Sequence, residues 1–175
     1  MQSNKTAPFK TWVEVSADSL RDNLKALRKI VGKERKIACV IKANAYGHGI
    51  LEVAKILERE KADFFAVDNI KEASLLKNSG ISIPILILGY IELADLKEAI
   101  LSDFSFVCYN KETLRKIISL SLSKPAKIHL KIETGLNRQG VAKKEIPLFA
   151  SMIKKAHEIF LEGISTHFAN IEDTL

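Results

Sequence analysis

Long apolar runs are missing from this sequence, and aromatic residues are scarce. Aromatic residues make up 7% of its 175 positions, charged residues 27% and hydrophobic residues 47%. This balance excludes the low-hydrophobicity, high-charge composition of disordered chains, and the length lies within the single-domain range. The longest apolar stretch, residues 83–91, is interrupted by Pro84 and Gly89 and is too short to cross a bilayer. We therefore expect one folded unit in the cytoplasm, without a membrane partner.

The sequence has two cysteines, Cys39 and Cys108, and each lies within an apolar run. They are far apart and fit neither the spacing of metal ligands nor that of a redox pair. We expect two buried thiols in a reducing compartment and no metal site.

The formal charge of +6 raises the possibility of a nucleic-acid partner, which the distribution of charge argues against. Lysines and arginines are scattered along the chain, and the densest basic run, residues 33–36, includes Glu34. A basic surface without interleaved aromatic residues or a nucleic-acid-binding motif is weak evidence for such a partner. We interpret the charge as a solvated surface.

Short runs with β-strand composition alternate with longer amphipathic stretches, as in parallel strands joined by crossover helices. The predicted strands are residues 36–41, 64–67, 85–88, 106–108, 127–132 and 160–166. The predicted helices are residues 51–60, 71–78, 93–101, 111–120 and 145–156. Before them, residues 11–15 alternate like a strand, and Ser16 is a predicted N-cap for a helix with an apolar face.

A GHG sequence follows the predicted strand at residues 36–41, and it is not the GxGxxG fingerprint of a doubly wound sheet. The pattern therefore favours an α/β fold of the (β/α)8 TIM-barrel type. Because a complete barrel has eight strands, the sequence predicts a barrel truncated to about six βα units. The predicted organisation is an N-terminal strand segment at residues 1–15 and a partial barrel at residues 16–175.

In barrels of this type the reactive side chains lie at the C-terminal ends of the strands. Lys42 follows a predicted buried strand, where a partly desolvated amine can form a Schiff base with an aldehyde. Lys131 lies near the end of the predicted strand at residues 127–132, Arg138 lies in the loop after that strand, and His167 lies at the end of the predicted strand at residues 160–166. We expect these four residues on one face of the barrel.

Three stretches carry a resemblance to a known family. They are KANAYGHG around Lys42, LKIETGLNRQG at residues 130–140 and EGISTHFAN at residues 162–170. The first resembles the cofactor-binding signature of alanine racemases, and all three follow in that family's order. Leu136 stands where the family usually has methionine, and Gln139 where it often has leucine, so only the packing of that loop differs.

The resemblance implies pyridoxal 5'-phosphate as cofactor and assigns roles to five residues. Lys42 would carry the cofactor as a Schiff base and act as one of two catalytic bases. Tyr46 would lie near the cofactor phosphate, and His167 beside the pyridine ring. Arg138 would hold the phenolic oxygen and the substrate carboxylate region, with Lys131 supporting it.

The implied reaction interconverts L-alanine and D-alanine for peptidoglycan precursors. The resemblance places the second base, a tyrosine, on the C-terminal domain of the partner subunit in a homodimer, and we expect the isolated chain to be inactive. Two alternatives stay open: another barrel enzyme of this cofactor, such as a serine or lysine racemase or a decarboxylase, and a non-catalytic cofactor-binding module. For His48, His129 and His157 a structural role is the favoured interpretation.

Overall fold

The computed structural model describes residues 10–170, and its strands form one parallel sheet. The strands are β1 (Ala38–Val40), β2 (Phe64–Val67), β3 (Ile85–Ile87), β4 (Ser105–Cys108), β5 (Ala126–Lys131) and β6 (Ile159–Ser165). All five neighbouring pairs are parallel, and the register shifts once, at Ile128 and His129 of β5. The six strands predicted from residue 36 onward are therefore present, with ends that differ by at most two residues.

Helices precede the sheet and connect its strands. They are α1 (Ala17–Val31), the short turn α2 (Lys42–Tyr46), α3 (Ile50–Arg59), α4 (Ile70–Asn78), α5 (Leu96–Leu101), α6 (Lys111–Leu120) and α7 (Ile146–Lys155). The predicted N-cap of α1 is confirmed, because the hydroxyl of Ser16 accepts a hydrogen bond from the backbone N–H of Ser19 at 3.2 Å. Asn69 and Asn110 cap α4 and α6 in the same way.

Strand order distinguishes the two parallel architectures that the sequence pattern allows. In a doubly wound sheet the order reverses at a switch point, whereas in a barrel each strand pairs with the next one along the chain. Here the spatial order is β1-β2-β3-β4-β5-β6, without reversal. The expected arrangement of about six βα units of a TIM-type barrel is confirmed.

The hydrophobic core lies between the strands and the crossover helices. Phe65, Phe106 and Ile128 are fully buried on the helix-facing side of the sheet, and Phe149 of α7 packs in the same cluster. Strands composed almost entirely of apolar residues are typical of parallel sheets that are covered on both faces. This layer fixes the strand ends, and the loops that follow them carry the candidate site.

Two predicted elements differ from the structure. Residues 11–15 are not a strand: Trp12 and Val13 are 68% and 66% exposed, so their alternation does not mark a buried face. The predicted helix at residues 93–101 begins only at Leu96, because residues 93–95 form a turn. The rest of the predicted N-terminal segment, residues 1–9, lies outside the described residues. None of the helices in residues 10–170 has the length and hydropathy needed to span a bilayer.

Candidate functional site

A cavity of about 590 Å³ opens at the C-terminal ends of the strands. This volume lies within the usual range for small-molecule and cofactor sites. We call it the mouth cavity; its lining residues are Val40, Lys42, Tyr46, Asp68, Leu88, Gly89, Lys131, Arg138, Gln139, Ser165, Thr166 and His167. Three of these residues, Lys42, Lys131 and Arg138, are basic, and one, Asp68, is acidic. The excess of basic side chains suits an anionic ligand.

The structure brings the five predicted site residues together. Lys42, Tyr46, Lys131, Arg138 and His167 all line the mouth cavity, although they come from three widely separated parts of the chain. Their shared location follows from the parallel sheet, in which every strand ends at the same edge. The prediction that four of them, Lys42, Lys131, Arg138 and His167, lie on one face of the barrel is confirmed. The individual roles of all five stay predictions.

The amine of Lys42 is partnered by a carboxylate that the sequence analysis did not single out. Lys42 Nζ lies 3.5 Å from Oδ1 of Asp68, which directly follows β2. The backbone carbonyl of Asp68 accepts a hydrogen bond from the N–H of Gly89 at 2.9 Å. A Cβ atom at position 89 would collide with that carbonyl oxygen. Glycine at position 89 therefore permits the close approach that holds Asp68 beside Lys42.

The turn after Lys42 has an unusual backbone. Ala43, Asn44, Ala45 and Tyr46 have φ values of 51°, 55°, 53° and 53°, so α2 is a turn of left-handed helix, and Gly47 ends it at φ 91°. For residues with a Cβ this conformation costs roughly 1–2 kcal/mol each. Such strain persists only where the surroundings impose it, and it concentrates at functional sites.

Specific hydrogen bonds hold the left-handed turn in place. The side-chain oxygen of Asn44 accepts from the N–H of Ile50 at 2.9 Å, which ties the turn to the start of α3. The N–H of Asn44 donates to Oε1 of Glu72 at 3.1 Å, and the N–H of Asp68 donates to Oε2 of the same carboxylate at 3.0 Å. One carboxylate on α4 thus joins the loops that follow β1 and β2.

Lys131 lies at the end of β5 among like charges. The pKa of Lys131 is lowered from its ordinary value, first because burial disfavours the charged amine and then because Arg138 and Lys42 carry like charge. An anion bound between these side chains would relieve the repulsion. The electrostatics of the mouth cavity therefore favour a phosphate, a phenolate or a carboxylate.

Arg138 is carried by a loop that is tied down at several points. The carboxylate of Glu133 accepts from the backbone N–H of Gly135, and the hydroxyl of Thr134 bonds with that of Thr166. Hydrogen bonds from the backbone of Asn137 and Gly135 hold the pKa of Glu133 below its ordinary value. The loop is therefore anchored both internally and to the end of β6.

A second contact fixes the same loop from the opposite side of the mouth cavity. The side-chain amide of Gln139 donates to the backbone carbonyl of Leu88 at 3.5 Å, so the loop after β5 reaches β3. Sequence reasoning assigned position 139 to loop packing only. The structure places it in the cavity lining instead.

Ser165 is a site residue that the sequence analysis missed. In the part of the chain that the structure describes, its Oγ atom is buried without a hydrogen-bond partner, and the residue lines the mouth cavity. A buried hydroxyl without a partner costs free energy unless a ligand or water completes it. The available signal was its position, two residues before His167 in the third matching stretch.

The remaining histidines lie outside the mouth cavity. Nδ1 of His48 lies 2.7 Å from the carbonyl oxygen of Ala45. His129 and Glu162 form a pair at 3.1 Å between β5 and β6, and the side chain of His157 is exposed. The contacts of His48 and His129 agree with a structural interpretation, and the role of His157 stays a prediction.

Comparison with known proteins identifies relatives over almost the whole chain. The family model for the N-terminal domain of alanine racemase matches residues 15–175. Alanine racemase 1 of Caldanaerobacter subterraneus subsp. tengcongensis is 42% identical over 166 aligned positions, and the match covers 91% of this chain and 42% of the relative. Alanine racemase 2 of Oceanobacillus iheyensis is 39% identical, over 94% of this chain and 42% of the relative.

Solved structures show the same similarity. Alanine racemase from Bacillus anthracis with bound L-Ala-P superposes with a TM-score of 0.89 at 34% identity and covers 97% of this chain. Alanine racemase of Clostridium difficile 630 in complex with cycloserine gives 0.88 at 38% identity and covers 94%. This chain spans 45% and 46% of those two chains, so it corresponds to less than half of each relative.

Proposed function

The chain belongs to the alanine racemase N-terminal domain family, and on that premise we propose that it is the pyridoxal-phosphate-binding part of an alanine racemase. The proposed reaction is the interconversion of L-alanine and D-alanine, which supplies D-alanine for peptidoglycan. The observation that carries the proposal is the position of Lys42, whose amine lines a cation-rich cavity at the strand ends. The proposal assigns residues 16–175 to the cofactor-binding barrel.

The residues present fit pyridoxal phosphate in three respects. A primary amine, Lys42, is available for the aldehyde, and Lys131 and Arg138 provide positive charge for the anionic groups. The unpaired buried hydroxyl of Ser165 offers a hydrogen bond that nothing in residues 10–170 satisfies. When bound, this cofactor withdraws electrons from the α-carbon of an amino acid, which weakens the Cα–H bond.

The geometry of the side chains supports the proposed roles. Nζ of Lys42 accepts and returns the α-proton on one face of the substrate, and Asp68 at 3.5 Å keeps that atom at the cavity wall. Arg138 presents a planar fork of N–H donors, which matches a carboxylate or a phenolic oxygen. Tyr46 and His167 line the cavity beside them.

A racemase needs a second base on the opposite face, because one group cannot both remove and return the proton on two sides. We propose that this base is a tyrosine on the C-terminal domain of the partner subunit in a homodimer. The proposal also includes a cytoplasmic location and the absence of nucleic-acid and membrane partners. Residues 1–175 alone should not racemise alanine at an enzymatic rate.

A hybrid enzyme tests the proposed function. In it, this chain replaces the matching part of alanine racemase 1 of Caldanaerobacter subterraneus, and D-alanine formation from L-alanine is measured with pyridoxal phosphate present. We expect the hybrid to be active, and its Lys42→Ala variant and the isolated chain to be slower by about a hundredfold or more. Lys71→Ala, on an exposed helix position, is the matched control. A folded, cofactor-loaded hybrid no faster than its Lys42→Ala variant would refute the proposal.

A further inference from the structure

The carboxylate of Glu72 is the junction between two loops of the mouth cavity, although Glu72 does not line that cavity. Its two oxygens accept N–H groups from Asn44, 28 positions earlier, and from Asp68, four positions earlier. Asn44 lies in the left-handed turn that begins after Lys42. Asp68 is the residue that pairs with the Lys42 amine. Both residues that Glu72 binds are therefore next to Lys42, one through the turn that follows it and the other through the ion pair with its amine.

We propose that Glu72 is a positioning residue, which holds the left-handed turn α2 against the end of β2 and thereby fixes Lys42 Nζ in the mouth cavity. This inference rests on the proposed function, because it assigns Glu72 to the preparation of the cofactor-carrying lysine. It adds a residue outside all three stretches that resemble the family. The contact with Asn44 is what distinguishes Glu72 from an ordinary helix-capping residue.

A capping role alone does not account for these bonds. Glu72 occupies the third position of α4 after the N-cap Asn69, and its N–H donates to the Asn69 side chain at 3.0 Å. In a capping box the glutamate returns to the N–H of the N-cap residue itself. Here the carboxylate instead accepts from the residue before the cap and from another loop. Of these two bonds, the one from the N–H of Asp68 is local to the start of α4, and the one from the N–H of Asn44 is not.

The two hydrogen bonds that Glu72 accepts, from Asn44 and from Asp68, form a clamp, and strain in α2 explains why it is needed. Four consecutive residues with a Cβ atom have positive φ, a conformation that an isolated chain does not hold. The Asn44 side chain secures the turn to α3, and Glu72 secures the backbone of the turn to α4 and, through the N–H of Asp68, to the end of β2. Without the second anchor the turn can relax toward ordinary backbone conformations, and Lys42 at its start moves with it.

Glu72→Gln is the informative substitution. Glutamine keeps the side-chain length and the helix-capping capacity, but it has one accepting oxygen where two N–H donors converge. One donor then faces an NH2 group, and one anchor of the clamp is lost. The matched control is Glu98→Gln in the first turn of α5, where the carboxylate accepts only the Ser74 hydroxyl at 3.2 Å among the bonds described.

The measurement is the rate at which added pyridoxal phosphate forms a borohydride-reducible adduct on Lys42, mapped by mass spectrometry in the whole chain. We expect Glu72→Gln to slow the reaction about tenfold, as for a displaced reacting group, while its thermal midpoint stays near that of Glu98→Gln. Equal rates for Glu72→Gln and wild type overturn the positioning role. If wild type itself forms no adduct on Lys42, the proposed function fails instead.

A second measurement does not depend on the cofactor, and its deciding result is obtained on the wild-type chain. Hydrogen exchange at the backbone amide of Asn44 reports its bond to Glu72 in the wild-type chain. A protected amide supports the clamp, and loss of that protection in Glu72→Gln strengthens it. An Asn44 amide that exchanges in wild type at the rate of an unfolded chain overturns the proposal.

Discussion

Replacing Gly89 by alanine should damage both the sheet and the site. Gly89 follows β3, and its N–H donates to the backbone carbonyl of Asp68 at 2.9 Å. The added Cβ would overlap that carbonyl oxygen, which belongs to the backbone and cannot rotate away. The ends of β2 and β3 must therefore separate, and Asp68 must move with its strand end.

The expected cost has two parts. Forcing an extra methyl group into a packed site costs typically 1–3 kcal/mol, and losing the hydrogen bond costs about 0.5–1.5 kcal/mol, so we expect roughly 2–4 kcal/mol in all. For a domain of this size each kcal/mol lowers the midpoint by roughly 2–4 °C, so the fall should be roughly 5–15 °C. Thermal unfolding followed by circular dichroism measures it.

Gly80→Ala is the matched control for this experiment. Gly80 has a φ of 85°, but nothing lies within 4 Å of a Cβ added there, so only backbone strain is tested. That strain costs about 1–2 kcal/mol. Gly89→Ala should be the more damaging change, and it alone should slow cofactor attachment to Lys42. A Gly89→Ala variant as stable as Gly80→Ala would show that the loops after β2 and β3 do not approach each other as described.

Three further predictions follow from single side chains. Arg138→Lys in the hybrid enzyme should lose activity although the charge is kept, because lysine lacks the planar fork; activity equal to that of Arg115→Lys would contradict this. Ser165→Ala should leave the thermal midpoint unchanged or raised, since the buried hydroxyl has no partner among the described residues, yet should weaken cofactor binding about two- to tenfold; unchanged affinity in a titration would be the contrary result. Burial raises the pKa of Cys108 from 9.0 to about 11, so the neutral thiol should stabilise the fold fully below pH 9 and lose that contribution as the pH rises toward 11. Its alkylation at pH 8 should be much slower than that of Cys39, and equal rates measured by mass spectrometry would contradict its burial.

The elements that the sequence predicts best are those with strong local signals. The bounds of β2 and α6 agree with the predicted residues 64–67 and 111–120, because β2 is a short apolar run and α6 is an amphipathic run that starts directly after the capping residue Asn110. The segment at residues 11–15 failed, since alternation alone does not supply a neighbouring strand to pair with. Local pattern therefore predicted the order of the elements, and pairing decided which of them form strands.

The residues of the candidate site also fall into those that the sequence predicts and those that only the structure shows. Lys42 and Arg138 could be predicted because Lys42 directly follows a strand, Arg138 lies in the loop after another, and both belong to stretches that resemble the family. Asp68 and Glu72 could not, because their importance depends on which loops meet in three dimensions. Ser165 lies in the third matching stretch, but its buried hydroxyl without a partner among the described residues is visible only in the structure. A run of alanine, asparagine and tyrosine also gives no sign of a left-handed turn, which depends on contacts with α3 and α4.

The central claim is that Lys42 carries the cofactor, and chemical trapping tests it most directly. The chain is mixed with pyridoxal phosphate, reduced with borohydride, digested and mapped by mass spectrometry, with Lys42→Arg treated in parallel. The account predicts a pyridoxyl group on Lys42 in the wild-type chain and no comparable modification of any lysine in the variant. A pyridoxyl group found on another lysine, with Lys42 unmodified, would contradict it.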